Sequence, residues 1–278
     1  MDALGIRSAL IDEFWTREQD GRRHFPGFHL PNGALRATPA QAQHVSNQYP
    51  DRFSYLVRVD FRDPQIDAVM RGVAEAPHAR AVRMVLNTPE AVQALVAGDC
   101  RRCFAAAADH GVPVFVITHG ESPQLQPTLK AFPGLRIILD HIGMARQPGQ
   151  FEDVLTLAAY PNVALKWCHA EVSFGASRYP FPEVEKPLRR AIAAFGAERI
   201  MWASDFTIRQ SEFNWADRLF YIRNSPTLTA EEKSWILGRT ARRLLDWPAP
   251  DVAWRRFSSV GRDFTGVAPG SGSTTPAQ

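Results

Sequence analysis

Seven short apolar runs recur along the chain, and helix-like stretches separate them. Strands that alternate with helices in this way pair in parallel through right-handed crossovers, which restricts the fold more than any other feature of the sequence. Most of the runs are apolar at every position, as expected for strands that helices cover on the outside. They span residues 6–11, 54–61, 81–86, 112–118, 136–139, 163–167 and 200–203. The pattern predicts an α/β fold with a parallel sheet.

Helical stretches fill the spaces between the runs and continue after the last one. They are predicted at residues 64–75, 89–110, 124–132, 151–160, 185–195, 213–223 and 229–245. The last begins with Thr229-Ala-Glu-Glu232, which is typical of a capping box.

At 278 residues the chain has the length of one TIM-type (β/α)8 barrel, which is about 250 residues long. Because such a barrel needs eight strands and seven are found, we predict a barrel that lacks its first strand. Residues 252–257 are an alternative eighth strand. We expect one barrel domain over residues 1–265 and a disordered tail over 266–278, which is mostly Gly, Ser, Thr, Pro and Ala.

Composition and charge limit the classes of partner. The net charge of +3 is small and the basic residues are scattered, which argues against binding to nucleic acid. No apolar stretch approaches the roughly 20 residues of a membrane span. The cysteines Cys100, Cys103 and Cys168 are too few for a disulfide framework, and the first two are interpreted as reduced thiols in a helix. With no signal peptide in view, a cytoplasmic protein is expected.

Three of the apolar runs are followed within two residues by an ionisable side chain. His119 follows one run, Asp140-His141 follows the next, and Asp205 follows the last. Side chains from different strands of a parallel barrel converge only at the carboxyl ends of those strands, where the active site lies. A carboxylate beside an apolar strand is also costly to bury unless it is paired or catalytic. These positions predict a functional site. Gly143 would allow a tight turn or close approach of substrate there.

Two further features belong to the same end of the predicted barrel. Arg83 lies within a strand, where it either clamps a substrate carboxylate or forms a salt bridge to Asp12, Glu13 or Asp60. Residues 15–39 form a long connection of the kind that serves as a lid or binding loop, and they contain His24 and His29.

Three motifs together resemble those of the amidohydrolase-related family, and especially its branch of sugar-lactone and pyrone-dicarboxylate lactonases. They are Leu139-Asp-His-Ile-Gly143, Asn162-Val-Ala-Leu-Lys166 and Arg199-Ile-Met-Trp-Ala-Ser-Asp205, and the resemblance covers about residues 1 to 245. It implies a barrel hydrolase with Asp205 as general base. It also implies that His119 and His141 bind a divalent metal or hydrogen-bond the substrate carbonyl. Lys166 occupies the lysine of a strand motif, with its side chain on either side of the barrel wall.

The chain departs from this family at one motif. Members begin with a strand that ends in His-x-His, and no such triplet occurs in the sequence. The remaining candidate ligands are His119, His141 and Asp205, which together suffice for a three-ligand catalytic zinc site. We therefore expect either one divalent metal, zinc or manganese, or a metal-free site.

The sequence predicts a hydrolase that opens a small lactone or similar cyclic ester. Asp205 and His141 are the predicted catalytic residues, and His119, Arg83 and Lys166 are predicted to bind the substrate. Metal-dependent decarboxylation of an aromatic acid is the alternative within the enzymes. An incomplete barrel without catalysis is the alternative outside them, and its two open strand edges would favour a homo-oligomer.

Overall fold

The computed structural model describes residues 1–14, 16–17, 23–147, 149–206 and 213–249. Its centre is a seven-stranded parallel sheet in which the spatial order of the strands follows the order of the sequence. The strands are β1 (Ala9–Asp12), β2 (Phe53–Val59), β3 (Ala79–Val85), β4 (Val114–Ile117), β5 (Ile137–Leu139), β6 (Val163–Trp167) and β7 (Ile200–Trp202). All seven predicted strands are confirmed, with their ends moved by up to three residues.

The sheet curls as in a TIM-type barrel, and the described residues supply seven of its strands without the first. Successive strands pair in parallel from β1 to β7, and within the described residues β1 and β7 remain the two edges. Alternate residues point inward and form one small apolar cluster, while the others pack under the helices. The inward cluster consists of Leu56, Ala81, Phe115, Ile138, Ala164, Met201, Leu245 and Trp247. Five strands each supply one of these side chains beside Met201 of β7, as in the layered interior of such barrels.

Helices cover the outside of the sheet. The α-helices span Ala40–Gln48, Ile66–Glu75, Pro89–Ala97, Arg101–Asp109, Gln126–Ala131, Gln150–Thr156, Ala170–Ser173, Pro182–Phe195, Trp215–Arg223, Ala230–Ser234 and Thr240–Leu244. The helix predicted over residues 89–110 is wrong in one respect, because it is two helices. Gly98 ends the first of them in the left-handed conformation, with φ 89°, and so caps it. The helix predicted over 229–245 also divides, around a π-helical turn at Trp235–Arg239.

The long connection after β1 contains short antiparallel pairs. Thr16–Arg17 pairs with Arg23–His24, and Gly27–His29 pairs with Leu35–Ala37. The second hairpin is fastened to the barrel by Arg36, whose guanidinium donates to both carboxylate oxygens of Asp63 at 2.8 and 2.5 Å.

The remaining predictions concern membrane spans and the residues after the last helix. No helix in the described ranges is long and apolar enough to cross a membrane. The alternative strand at residues 252–257 and the tail at 266–278 lie outside the described residues.

Candidate active site

The residues that follow four neighbouring strands share an unusual backbone conformation. His119, His141, His169 and Asp205, after β4 to β7 respectively, have φ angles of 49°, 50°, 55° and 43°. Such left-handed values are uncommon outside glycine, are tolerated best by Asn, Asp and His, and cluster at functional sites. Gly143 continues the turn after β5 with φ 66°, and a Cβ there would lie 2.3 Å from Ser122 Oγ. The turn therefore requires glycine, as predicted.

Asp140 is the buried anion at the centre of the site. Its side chain has no solvent exposure, and it forms ion pairs with Lys166, whose Nζ lies 2.8 Å away, and with Arg83, whose Nε lies 2.7 Å away. Burial alone would raise the pKa of Asp140, but the two cations outweigh it and hold that pKa well below its usual range. The pKa of Lys166 is raised in turn, because Asp140 outweighs the effect of burial. All three groups are therefore charged, and the Lys166 side chain points into the barrel.

Arg83 joins the two ends of this ion-pair network. Its guanidinium forms a salt bridge to Asp12 and another to Asp140, so one of the two predicted roles is confirmed. Arg83 Nη2 also lies 2.8 Å from His141 Nε2. An arginine can only donate, so His141 Nε2 must accept and its proton must reside on Nδ1. The role of Arg83 as a substrate clamp stays a prediction.

His141 is buried, with 6% of its surface exposed, and uncharged. Burial is the main cause that lowers its pKa, to about 3. Within the described part of the chain, its Nδ1 has no hydrogen-bond partner. His141 therefore supports Arg83 through one nitrogen and carries a buried, unpaired donor on the other.

Asp205 and His169 form the second charged pair of the site. His169 Nε2 lies 2.7 Å from Asp205 Oδ2, and His141 Nε2 lies 3.7 Å from the same oxygen. Burial opposes ionisation of both partners, yet His169 lowers the pKa of Asp205, and Asp205 helps raise the pKa of His169 to about 11. On its other side, His169 Nδ1 faces Glu171 Oε1 at 3.9 Å, and Glu171 lies 3.2 Å from Arg218 Nε.

Sequence reasoning did not single out His169 or Cys168 as site residues. Both follow β6, and the rule that identified the other strand-end residues would have found them. His119, by contrast, was predicted for the site, and its side chain is exposed and outside the cluster that Asp205 forms with His141. Its predicted role in substrate or metal binding stays a prediction. His29 is exposed on a hairpin strand, and the side chain of His24 lies outside the described residues.

A group of four potential metal ligands lies at this end of the barrel. One ligand atom each from His141, Cys168, His169 and Asp205 lies within 4.8 Å of all the others. Imidazole, thiolate and carboxylate are the donors that zinc takes in proteins. The group therefore fits a zinc ion in its donor types, although His141 Nε2 is already engaged by Arg83. Of the predicted ligands, His141 and Asp205 belong to it.

A cavity of about 920 Å³ opens beside these residues, and its walls include parts of both edge strands. Arg83, Lys166 and Asp205 form part of its polar wall, and Phe115 and Met201 belong to its apolar wall. An apolar pocket with a few convergent polar groups is the usual form of a small-molecule site. The arrangement could bind a small polar ligand and activate water at Asp205.

Comparison with known proteins gives consistent similarities. The amidohydrolase family model matches residues 31–247. Uncharacterized protein y4mH of Sinorhizobium fredii (strain NBRC 101917 / NGR234) is 28% identical over 228 residues, covering 74% of this chain and 75% of that protein. A Burkholderia multivorans amidohydrolase with bound zinc has a TM-score of 0.70 at 19% identity, covering 89% of this chain and 86% of that chain. A putative 2-pyrone-4,6-dicarboxylic acid hydrolase from Pseudomonas putida has a TM-score of 0.63 at 22% identity, covering 74% and 77%.

Proposed function

Because the chain belongs to the amidohydrolase family, we propose that it hydrolyses the ester bond of a small lactone or similar cyclic ester, with Asp205 as general base. The observation that carries this proposal is the position of Asp205. Its carboxylate lines the large cavity, is oriented by His169 at 2.7 Å, and shares that cavity with the cations Arg83 and Lys166. A base, oriented donors and a cavity that can hold the substrate beside them are the parts that acyl hydrolysis needs.

The reaction begins with a water molecule beside Asp205. His169 engages Oδ2 of the carboxylate, which leaves Oδ1 to take a proton from water as it attacks the carbonyl carbon. The Lys166 ammonium and the Arg83 guanidinium, which both line the cavity, stabilise the negative charge that develops on the carbonyl oxygen. When the tetrahedral intermediate collapses, the ring C–O bond breaks and the leaving alkoxide takes the proton from Asp205.

The other site residues keep these groups in place. Asp140 holds Lys166 and Arg83 by ion pairs, and the neutral His141 accepts from Arg83. Both cations are thus oriented before substrate arrives, so little reorganisation is needed in the transition state. A divalent metal bound by the four-donor group would supply Lewis-acid polarisation of the same carbonyl.

The test compares the native chain with Asp205→Asn on a panel of sugar lactones and pyrone carboxylates, with acid release followed by pH-stat. We expect Asp205→Asn to lower kcat by about 10²- to 10⁴-fold, the usual contribution of a general base. Asp153→Asn, on an exposed helix position, is the matched control and should keep full activity. Undiminished turnover in Asp205→Asn would overturn the assignment. Release of carbon dioxide from aromatic acids without lactone opening would favour the decarboxylase.

A further inference from the structure

One side of strand β1 borders the large cavity. Within the described residues its one neighbour in the sheet is β2, and on that side the Ala9 amide donates to Arg52 O at 2.9 Å. Successive backbone amides of a strand point in opposite directions, so Leu10 and Asp12 direct theirs away from β2. Both residues line the cavity. This edge therefore offers backbone groups to a further strand.

Strand β7 offers a matching edge on the same cavity. The Ala203 amide donates to Trp167 O of β6 at 3.1 Å, so the backbone of Trp202 is directed to the opposite side, where the described ranges supply no further strand. Trp202 also lines the cavity. Backbone groups inside a protein need partners, and a barrel closes when its last strand pairs on both sides. The position between β7 and β1 therefore suits an eighth strand.

The described part of the chain ends beside the amino end of β1. Arg80, at the amino end of β3, donates to Asp246 O at 3.3 Å. Arg242 then donates both to Pro248 O and to Ser8 Oγ, and Ser8 directly precedes β1. The amino ends of parallel strands lie at the same end of the sheet. A strand that begins shortly after Pro248 would therefore start at the amino ends of β1 and β7 and run parallel to both.

The residues that follow have a suitable length and place in the sequence. Residues 252–257 read Val-Ala-Trp-Arg-Arg-Phe and come after the helix Thr240–Leu244. A strand here would complete another strand-helix-strand unit, and the right-handed crossover of such units places the new strand beside β7. Six extended residues span roughly 20 Å, which covers the length of the four-residue β1.

The side chains of this segment repeat a pattern of the interior strands. Three strands carry an inward apolar residue and, two positions later, a cation that is paired with Asp12 or Asp140: Leu56-x-Arg58, Ala81-x-Arg83 and Ala164-x-Lys166. Ala253-x-Arg255 and Trp254-x-Arg256 have the same spacing. In either phase, the segment would present an apolar side chain to the inward cluster and an arginine to the charged residues above it.

We infer that residues 252–257 form the eighth strand of the barrel, between β7 and β1 and parallel to both. The strand fills the part of the cavity beside Leu10 and Met201. The polar wall at the carboxyl ends of the strands, with Lys166 and Asp205, stays available to a ligand. The inference concerns the closure of the barrel, and it does not depend on the proposed reaction.

Amide hydrogen exchange of the full chain, resolved by residue with NMR, tests this pairing. We expect the amides of residues 253–257 to exchange about 100-fold more slowly than those of residues 266–278, because ladder amides exchange only when the structure opens. The amides of Leu10, Asp12 and Trp202 should be protected together with them. Rapid exchange of residues 253–257 would overturn the inference. Protection of the β1 and β7 amides without protection of this segment would also overturn it, because another occupant would then fill the position.

A proline substitution tests whether the segment and the edge strands protect each other. Arg255→Pro removes a backbone donor that a strand with two neighbours needs. It should abolish the protection of residues 253–257 and of Leu10 and Asp12, while the Ile11 amide, which faces β2, stays protected. Ser271→Pro is the matched control and should change none of these rates. Protection of Leu10 and Asp12 that is unchanged in Arg255→Pro would refute the pairing.

Protein concentration separates a strand of the same chain from one supplied by a second copy. The protection should be the same at every concentration and in the monomer isolated by size-exclusion chromatography. Protection that disappears as a dimer dissociates would assign the strand to the second copy and overturn the inference. If Arg255→Pro does not fold, the exchange rates of the native chain decide by themselves.

Discussion

The single residue with the largest structural role in the site is Arg83. It is 2% exposed and compensates both Asp12 and Asp140. Arg83→Met would leave two carboxylates in or near the barrel interior without their main cation, and losing one partner of a buried ion pair costs about 3–5 kcal/mol. Urea unfolding should show that loss. Arg190→Met, which removes an exposed ion pair to Glu152, should cost only about 0–1 kcal/mol. Equal losses in the two variants would refute the argument.

The thiols of the Cys100-Arg-Arg-Cys103 segment illustrate how burial decides reactivity. Burial raises the pKa of Cys100 to about 12, and it raises the pKa of Cys103 further. Below those values each group is a neutral thiol, and only the thiolate reacts readily. We expect neither cysteine to react with a disulfide reagent at pH 8 in the folded protein, and both to react in urea. Peptide mapping identifies the labelled residues, and rapid labelling of either one in the folded chain would contradict the prediction.

At the scale of elements, the barrel strands could be predicted because each is a run of apolar residues between helix-ending turns. Because the runs are uniformly apolar, they did not show which residues of each strand point into the barrel. In β6, Ala164 and Lys166 point inward and Trp167 outward, but a run that is buried on both faces does not show which set is which. The sequence therefore does not fix the side on which Lys166 lies, and its ion pair with Asp140 places it inside the barrel.

Short elements were missed for a related reason. The hairpin strands after β1 have two or three residues each, too few for an alternating pattern, and the helix Ala40–Gln48 is too polar for an apolar stripe. The site itself was predicted only where a motif ended in a familiar residue. His169 follows β6 in the same way but belongs to none of the three motifs, so it was missed although its Nε2 lies 2.7 Å from Asp205 Oδ2.

The hairpin Gly27–His29 and Leu35–Ala37 depends on a charged contact with a measurable pH signature. Asp63 accepts two hydrogen bonds from Arg36, and these are the main cause that lowers the pKa of Asp63. Asp63→Asn should cost about 1–3 kcal/mol at neutral pH. Because the folded pKa lies below the unfolded one, the stabilisation is complete above the unfolded value of about 3.9 and is lost as pH falls through the folded value.

The measurement is the difference in urea midpoint between the native chain and Asp63→Asn from pH 7 to pH 3. It should shrink only at the acid end. Asp99→Asn, at an exposed position, should show a small difference at every pH. A difference for Asp63→Asn that is independent of pH would mean that the ion pair is not its cause.

The capping box of the helix Ala230–Ser234 is confirmed in both of its hydrogen bonds. Thr229 Oγ1 accepts from the Glu232 amide at 3.1 Å, and Glu232 accepts from the Thr229 amide at 2.7 Å. Thr229→Ala should therefore destabilise the protein by about 1 kcal/mol. Thr229→Ser keeps the hydroxyl and should cost much less in the same thermal or urea measurement. A loss in Thr229→Ser as large as in Thr229→Ala would assign the effect to the methyl group.

At the scale of the whole molecule, the barrel interior contains both the cavity and the inward apolar cluster. Among the described residues, both edge strands β1 and β7 contribute to the wall of the cavity. The charged side chains Arg83, Lys166 and Asp205 lie on this cavity wall. Besides the layer under the helices, the sheet has apolar contacts in its interior, between the inward residues of the strands and two residues that follow β7.

Those two residues are Leu245 and Trp247, the members of the inward cluster that do not belong to a strand. Trp247 is 7% exposed, and Arg242 lies over its ring at 4.2 Å. Trp247→Ala removes a large buried side chain from a cluster that already borders a cavity, and it should cost about 3–5 kcal/mol. Phe28→Ala, which removes an aromatic ring that is 50% exposed, should cost far less in the same urea experiment. If Trp247→Ala were no worse than Phe28→Ala, the packing of Trp247 in the inward cluster would not contribute to the stability of the barrel.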